Sequence, residues 1–165
     1  MIYKAERFNA FETHLQAYIM QNFDEEPLKQ ILLPLPDGKA WVGNEVSCGV
    51  GMQRIDVMLT QEDEKNIYIK LIELKCGIPY ENIVKYQIPW YIEWLSYYVI
   101  PNYYKKGKNI IVKPCIIAQK TDDEKIIEFI SKTKINCPDT KAQIEPTEYI
   151  GFNIEDKNIN FEKII

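Results

Sequence analysis

The chain has 165 residues, of which 46% are hydrophobic and 27% charged. That balance leaves out a disordered or low-complexity chain and lets one domain bury roughly two-thirds of its unfolded surface. A net charge of −4 speaks against a uniformly basic surface, but the average hides a pattern: −5 over residues 1–74, +5 over residues 75–120 and −4 over residues 121–165.

The longest apolar stretches, such as Ile116 to Ala118, fall far short of the roughly 20 residues of a membrane span. Lys4, Glu6 and Arg7 stand where a signal peptide needs an apolar run. A cytoplasmic protein with no membrane partner is therefore expected. Cys48, Cys76, Cys115 and Cys137 stand singly, with only His14 as an imidazole. They read as small apolar fillers rather than a zinc or iron–sulfur site.

Phe8, Phe11, Leu15, Tyr18 and Ile19 recur at the three-and-four spacing of an amphipathic helix, predicted from Ala5 to Phe23. Lys29 to Lys39, with Pro34, Pro36 and Asp37-Gly38, reads as an extended segment and a turn. Trp41 to Cys48 and Arg54 to Leu59 are predicted strands joined by a Gly49-Val50-Gly51 turn. In a third strand Ile67, Ile69, Leu71, Glu73 and Lys75 share one face, while Tyr68, Lys70, Ile72 and Leu74 share the other.

Glu81 to Val99 is a predicted helix with Ile83, Tyr91, Trp94 and Tyr98 on its apolar face and Lys85, Glu93 and Ser96 opposite. Pro89 predicts a kink. Trp90, Trp94, Tyr97 and Tyr98 read mainly as packing aromatics, with Trp90 and Tyr97 toward the exposed boundary. Asn109 to Ala118 is a fourth strand. Thr121 with Glu124 has the pattern of a capping box opening a helix from Asp122 to about Lys132. Tyr149 to Ile154 and Ile159 to Ile164 form a terminal hairpin around Glu155 to Asn158. The order implies an α/β fold, a mixed central β-sheet flanked by helices.

Asp56 and Glu73 lie inside apolar strands, Ile55-Asp56-Val57 and Ile72-Glu73-Leu74, where a carboxylate is rarely buried without a partner. If the strands are neighbours, two anions converge, and a cation between them relieves the repulsion. Mg²⁺ suits such a site, since it takes one or two carboxylates with waters and phosphate oxygens. Lys75, two residues on, would place an ammonium beside the ion, and the Leu74 carbonyl can complete the metal shell. Gln87, in the middle of the apolar face of the next helix and one turn from Tyr91, needs buried hydrogen-bond partners that such a site provides.

Gly51-Met52-Gln53-Arg54-Ile55-Asp56, then Ile72-Glu73-Leu74-Lys75, then Gln87-Ile88-Pro89-Trp90-Tyr91 together resemble the PD-(D/E)xK nuclease superfamily. The likeness is to its branches with a Q-x-x-x-Y helix, the RecB-like nucleases and the archaeal mismatch endonuclease NucS. The resemblance runs from about Phe8 to Lys132 and implies one nuclease-like domain over residues 1–165 with a restriction-endonuclease-like core and the C-terminal hairpin at 148–165. It implies Mg²⁺ or Mn²⁺ dependence and hydrolysis of DNA phosphodiesters. By the same resemblance Asp56 and Glu73 bind metal, Lys75 is catalytic, Gln87 and Tyr91 support the site or contact DNA, and Glu12 supplies an acid from the first helix. Glu45 competes with Glu12 for that role. No proline precedes Asp56, Pro89 interrupts Q-x-x-x-Y, and no cysteine cluster of the iron–sulfur members is present.

Tyr104, Lys105, Lys106 and Lys108, within the basic third, suit phosphate contact and stacking. The reading is a metal-dependent deoxyribonuclease, endonuclease or exonuclease, acting on single-stranded, duplex or branched DNA and possible as a homodimer. A dimeric Holliday-junction resolvase or restriction-type enzyme, and a non-catalytic DNA-binding or assembly module, are the alternatives.

Overall fold

Phe11, Leu15 and Ile19 recur every fourth residue and bury one stripe of helix α1 (Phe11–Asn22). The structure, a computed structural model, describes residues 11–49, 53–137, 140–156 and 158–165. Ala5 to Ala10 of the expected first helix, Val50 and Gly51 of the expected turn, and Lys157 of the last turn lie outside them. Helix α2 (Leu28–Leu32) occupies part of the segment expected to be extended. The correction has a simple cause: Leu28 and Leu32, one turn apart, are both buried in the core that α1 covers, and that contact fixes the turn of helix.

Strands β1 (Trp41–Ser47), β2 (Arg54–Glu62) and β3 (Asn66–Leu74) form an antiparallel meander. After a crossover through α3 (Ile88–Tyr98) and the short α4 (Ile100–Tyr103), strand β4 (Asn109–Gln119) pairs parallel to β3. Helix α5 (Glu124–Lys132) leads to β5 (Gln143–Ile144), β6 (Glu148–Glu155) and β7 (Asn158–Lys163). The result is a seven-stranded mixed sheet in the order β1-β2-β3-β4-β6-β7, with β5 paired to the start of β4. Two cores cover its faces. Ile67, Ile69 and Leu71 of β3 pack with α3, α4 and Ile130 of α5, while Ile72 and Leu74 pack with α1 and α2. This is the α/β fold with a mixed central sheet flanked by helices that the element order implied.

The helix before β4 departs from uniform pitch. Ile83–Gln87 is a π-helical segment in which the Ile88 N–H donates to the Ile83 carbonyl, five residues back. Proline lacks an N–H and its ring crowds the carbonyl four residues earlier, here that of Lys85. The wide turn ending at Gln87 gives Pro89 that room, where a kink was expected.

The wider turn also rotates everything after it. Ile88, Tyr91, Ile92, Leu95 and Ser96 face inward, whereas Tyr98, expected in the core, is 68% exposed and Trp94 is only partly buried. Ser96, expected outside, is buried and donates to the Ile92 carbonyl. A second correction concerns α5: its N-cap is Asp123, whose carboxylate accepts from the Lys125 N–H, not Thr121. Thr121 instead accepts from the Asp123 N–H, two residues too early to cap.

Candidate active site

Asp56 and Glu73 are the next residues after the Val57↔Ile72 pair that ends the β2–β3 ladder, and both line one pocket with Gln87 and Tyr91. Asp56 Oδ2 accepts from the Leu74 N–H at 2.7 Å, and its main-chain carbonyl accepts from Gln16 Nε2 of α1 at 2.8 Å. Glu73 is 3% exposed and is held by three donors. Gln87 Nε2 reaches Oε1 at 3.0 Å, Lys75 Nζ reaches Oε1 at 2.6 Å, and the Tyr91 hydroxyl donates to Oε2 at 2.7 Å. Lys75 Nζ lies 3.4 Å from Glu12 Oε1 as well. Asp56, Glu73, Lys75, Gln87, Tyr91 and Glu12 therefore meet in one place, and the π turn lets Gln87 and Tyr91 address the same carboxylate despite the intervening proline.

Glu45 lies on β1 across from Asp56, at a left-handed φ of 48°. It lines the same open pocket of about 410 Å³ with Gln53, Arg54, Asp56, Glu73, Lys75, Gln87 and Tyr91, but Arg54 engages its carboxylate. Of the two competing acids, Glu12 is the one that contacts Lys75. Arg54 was missed by sequence reasoning. Its position two residues before Asp56, on the same strand face, was the available signal.

Burial and the charge of Glu73 push the Asp56 carboxyl up to about 7. Burial works against the Lys75 ammonium, yet Glu73, Glu12 and Asp56 hold it above its ordinary value. Burial and Glu73 likewise raise the Tyr91 hydroxyl, so it stays a donor. Among the described residues, three carboxylates share one ammonium, and the surplus is negative. Gln87 turns its amide nitrogen to Glu73, which leaves its Oε1 buried and, among the described residues, without a donor.

Among the described residues no three His, Cys, Asp or Glu side chains are gathered to cage an ion. Two facing carboxylates with surplus charge, a pocket open to water and a buried oxygen lacking a donor nonetheless fit a hard cation that keeps several of its waters. Asp56 and Glu73 are the groups that would hold it, with the Leu74 carbonyl as a further oxygen. The Leu74 side chain itself is buried on the opposite face of the sheet.

Tyr104, Lys105, Lys106 and Lys108 are not brought to this site. Asn109, which follows them, pairs with Asn66 at the start of β3, roughly 23 Å of strand away from Glu73 at about 3.3 Å per residue. Lys106 pairs with Glu62 at 2.8 Å and lies over the Tyr103 ring. Lys108 Nζ donates to the Asp63 carbonyl at 2.6 Å, and Tyr104 lies under Lys141. Among the described residues no helix is long and apolar enough to cross a membrane.

No family model matches this chain, and no curated protein does. Among solved structures it is similar to SfsA of Pyrococcus furiosus, determined in complex with Ca²⁺, with a TM-score of 0.43 and 17% sequence identity. The similarity covers 92% of this chain and 63% of the SfsA chain, so the chain spans less than two-thirds of that protein's length.

Proposed function

We propose that this protein is a divalent-metal-dependent nuclease of the PD-(D/E)xK type that hydrolyses DNA phosphodiesters. The observation that carries the reading is the buried Glu73 carboxylate, facing Asp56 across two strands and gripped by Lys75, Gln87 and Tyr91.

Asp56 and Glu73 are the residues that would hold Mg²⁺ or Mn²⁺, and the Leu74 carbonyl would offer a further oxygen. When bound, the ion supplies an acidified water and counter-charge for the phosphate. Gln87 and Tyr91 fix the Glu73 carboxylate by donating to its two oxygens, as second-layer donors commonly do for a metal-binding acid. Lys75 keeps its proton at neutral pH, so it stabilises negative charge on the phosphate rather than acting as a base. Glu12 offers Lys75 a second carboxylate when Glu73 is engaged by the cation. Arg54, at the pocket rim, suits contact with a neighbouring phosphate.

Incubation of the protein with single-stranded, duplex and branched DNA plus Mg²⁺ or Mn²⁺ tests the reading. Cleavage that requires the ion and is abolished in Asp56→Ala supports it; cleavage indifferent to Asp56→Ala ends it. Dimeric resolvase or restriction-type action would show as a dimer in light scattering and preference for a four-way junction or a specific duplex site.

One observation favours a second reading. Both Glu73 oxygens already have protein donors, as they would in a module that keeps the fold and binds DNA without cutting it. Calorimetric titration with Mn²⁺ separates the two: heat of binding lost in Asp56→Ala belongs to the nuclease, and its absence in the native chain belongs to the module.

A further inference from the structure

Beside the carboxylate pocket lies a second, smaller one of about 190 Å³, lined by Cys48, Gly49, Trp90, Glu93, Trp94, Tyr97 and Tyr98. It exists because the π turn rotates α3. With uniform pitch Trp94 and Tyr98 would face the sheet, whereas in the rotated helix Trp90, Tyr97 and Tyr98 are 44%, 55% and 68% exposed.

The wall is built rather than incidental. Trp90 Nε1 donates to the Cys48 carbonyl at 2.9 Å. Gly49 has φ +123°, and a Cβ there would press on the indole at 3.2 Å from Cζ2, tighter than an ordinary contact. The Trp94 and Tyr98 rings lie 6.4 Å apart, tilted by 35°. Cys48 joins the two pockets through the backbone: its N–H donates at 3.0 Å to the carbonyl of Gln53, which lines the carboxylate pocket. Trp94 follows Gln87 by seven residues, about 10 Å along a helix axis.

We propose that this pocket receives an unpaired nucleobase, so that the substrate of the adjacent site is single-stranded DNA or the frayed end of a duplex. The inference rests on the nuclease reading for its adjacency and deepens it by naming the substrate class. Size comes first: the pocket is below the roughly 300–1,000 Å³ of sites for larger ligands, which suits one planar ring system. Charge comes second. The Glu93 carboxylate repels a phosphate but accepts from an exocyclic amine such as that of cytosine, so the base and not the backbone enters. Accessibility comes third, because bases inside a duplex have their faces covered by stacking, whereas an unpaired base offers its face to Trp or Tyr. A strand with one phosphate at Asp56 and Glu73 has its next few nucleotides within reach of Trp90 and Tyr98.

The full chain, titrated in EDTA so that no cleavage intervenes, should show tryptophan fluorescence quenched by a short single-stranded oligodeoxynucleotide and not by the same sequence closed into a duplex hairpin. Tyr98→Ala should weaken that binding about tenfold, the loss of one stacked base, with Tyr98→Phe restoring it. Tyr86→Ala, equally exposed but outside the pocket, should leave it unchanged.

Equal quenching by duplex overturns the proposal. So does quenching by tetramethylammonium but not by DNA, which would make the pocket a cation cage, and so does Tyr98-dependent self-association in sedimentation, which would make it an interface between copies. Tyr98-dependent binding without cleavage under any metal would keep the pocket and remove the nuclease reading. Cleavage of single strands without such binding would do the reverse.

Discussion

Strand β3 carries two buried carboxylate–lysine sets, three residues apart and on opposite faces. On the α1–α2 face Lys70, 2% exposed, meets Glu148 at 2.6 Å, and Lys163 and Lys113 lie 3.0 and 4.0 Å from the same carboxylate. Burial alone would push Glu148 up, but Lys70 and Lys163 hold it below its ordinary value. On the α3 face the ratio is inverted: Asp56, Glu73 and Glu12 share Lys75. Asp56 is driven up to about 7, and a buried amide oxygen has no donor among the described residues. A lysine beside a buried acid therefore does not by itself mark a site. What distinguishes the two sets is which one is left with uncompensated negative charge at an open pocket.

If both sets were structural, removing either acid would do the same thing. Glu73→Gln should lower DNA cleavage by at least about 10²–10³-fold, the scale of a lost electrostatic group at a reaction centre, with a smaller loss of thermal stability than Glu148→Gln. Glu148→Gln strands Lys70 in the interior without its closest counter-charge, and one-sided removal from a buried pair costs about 3–5 kcal/mol. In a chain of this length that lowers Tm by roughly 6–20 °C, while cleavage per folded molecule stays near native. Thermal melts and initial cleavage rates on the same preparations check both. Equal loss of stability with no loss of rate in Glu73→Gln would erase the distinction.

The α/β class, the strands and the helix crossover were legible because alternation and helical periodicity are local. So was the pairing of Glu73 with Lys75, which needs only the two-residue repeat of a strand. Asp56 and Gln87 stood out as polar residues on apolar faces. The wheel failed where it assumed one pitch. Trp94 and Tyr98 were assigned inward because the π segment depends on how the Pro89 ring fits against the preceding turn.

Lys70 was placed on the correct face, but its burial depends on Glu148, 78 residues away. The basic loop shows a third limit. Tyr104 to Lys108 belong to the same basic third of the sequence as Lys75, yet β4 runs parallel to β3, so the crossover must carry the chain back to the far end of the sheet before it returns.

A gentler change sharpens the comparison. Tyr91→Phe removes one of the donors on Glu73 and keeps the packing of the ring, so it isolates orientation from charge. Supporting donors of this kind typically account for 10–100-fold in metal affinity or activity. Cleavage should fall by about that much and recover in part at high Mn²⁺. A loss that no metal concentration recovers would mean that Tyr91 serves some other purpose than positioning the acid.

The smallest effect is the one with opposite signs on the two faces. In the ion-free fold Asp56 binds a proton up to about pH 7 that the unfolded chain releases near its ordinary 3.8. The folded state thus holds the extra proton between those values, and this contribution to stability is full below about pH 4 and is lost as pH rises through 7. Glu148, held below its ordinary 4.5, contributes the reverse: stability present above that value and lost as pH falls through its folded pKa. Measured in EDTA, Asp56→Asn should melt a few degrees above the native chain at pH 8 and converge with it toward pH 4. The deficit of Glu148→Gln should be widest at neutral pH and narrow in acid. Parallel curves for the two variants would mean that both acids are compensated alike, and the surplus charge that singles out the α3 face would not exist.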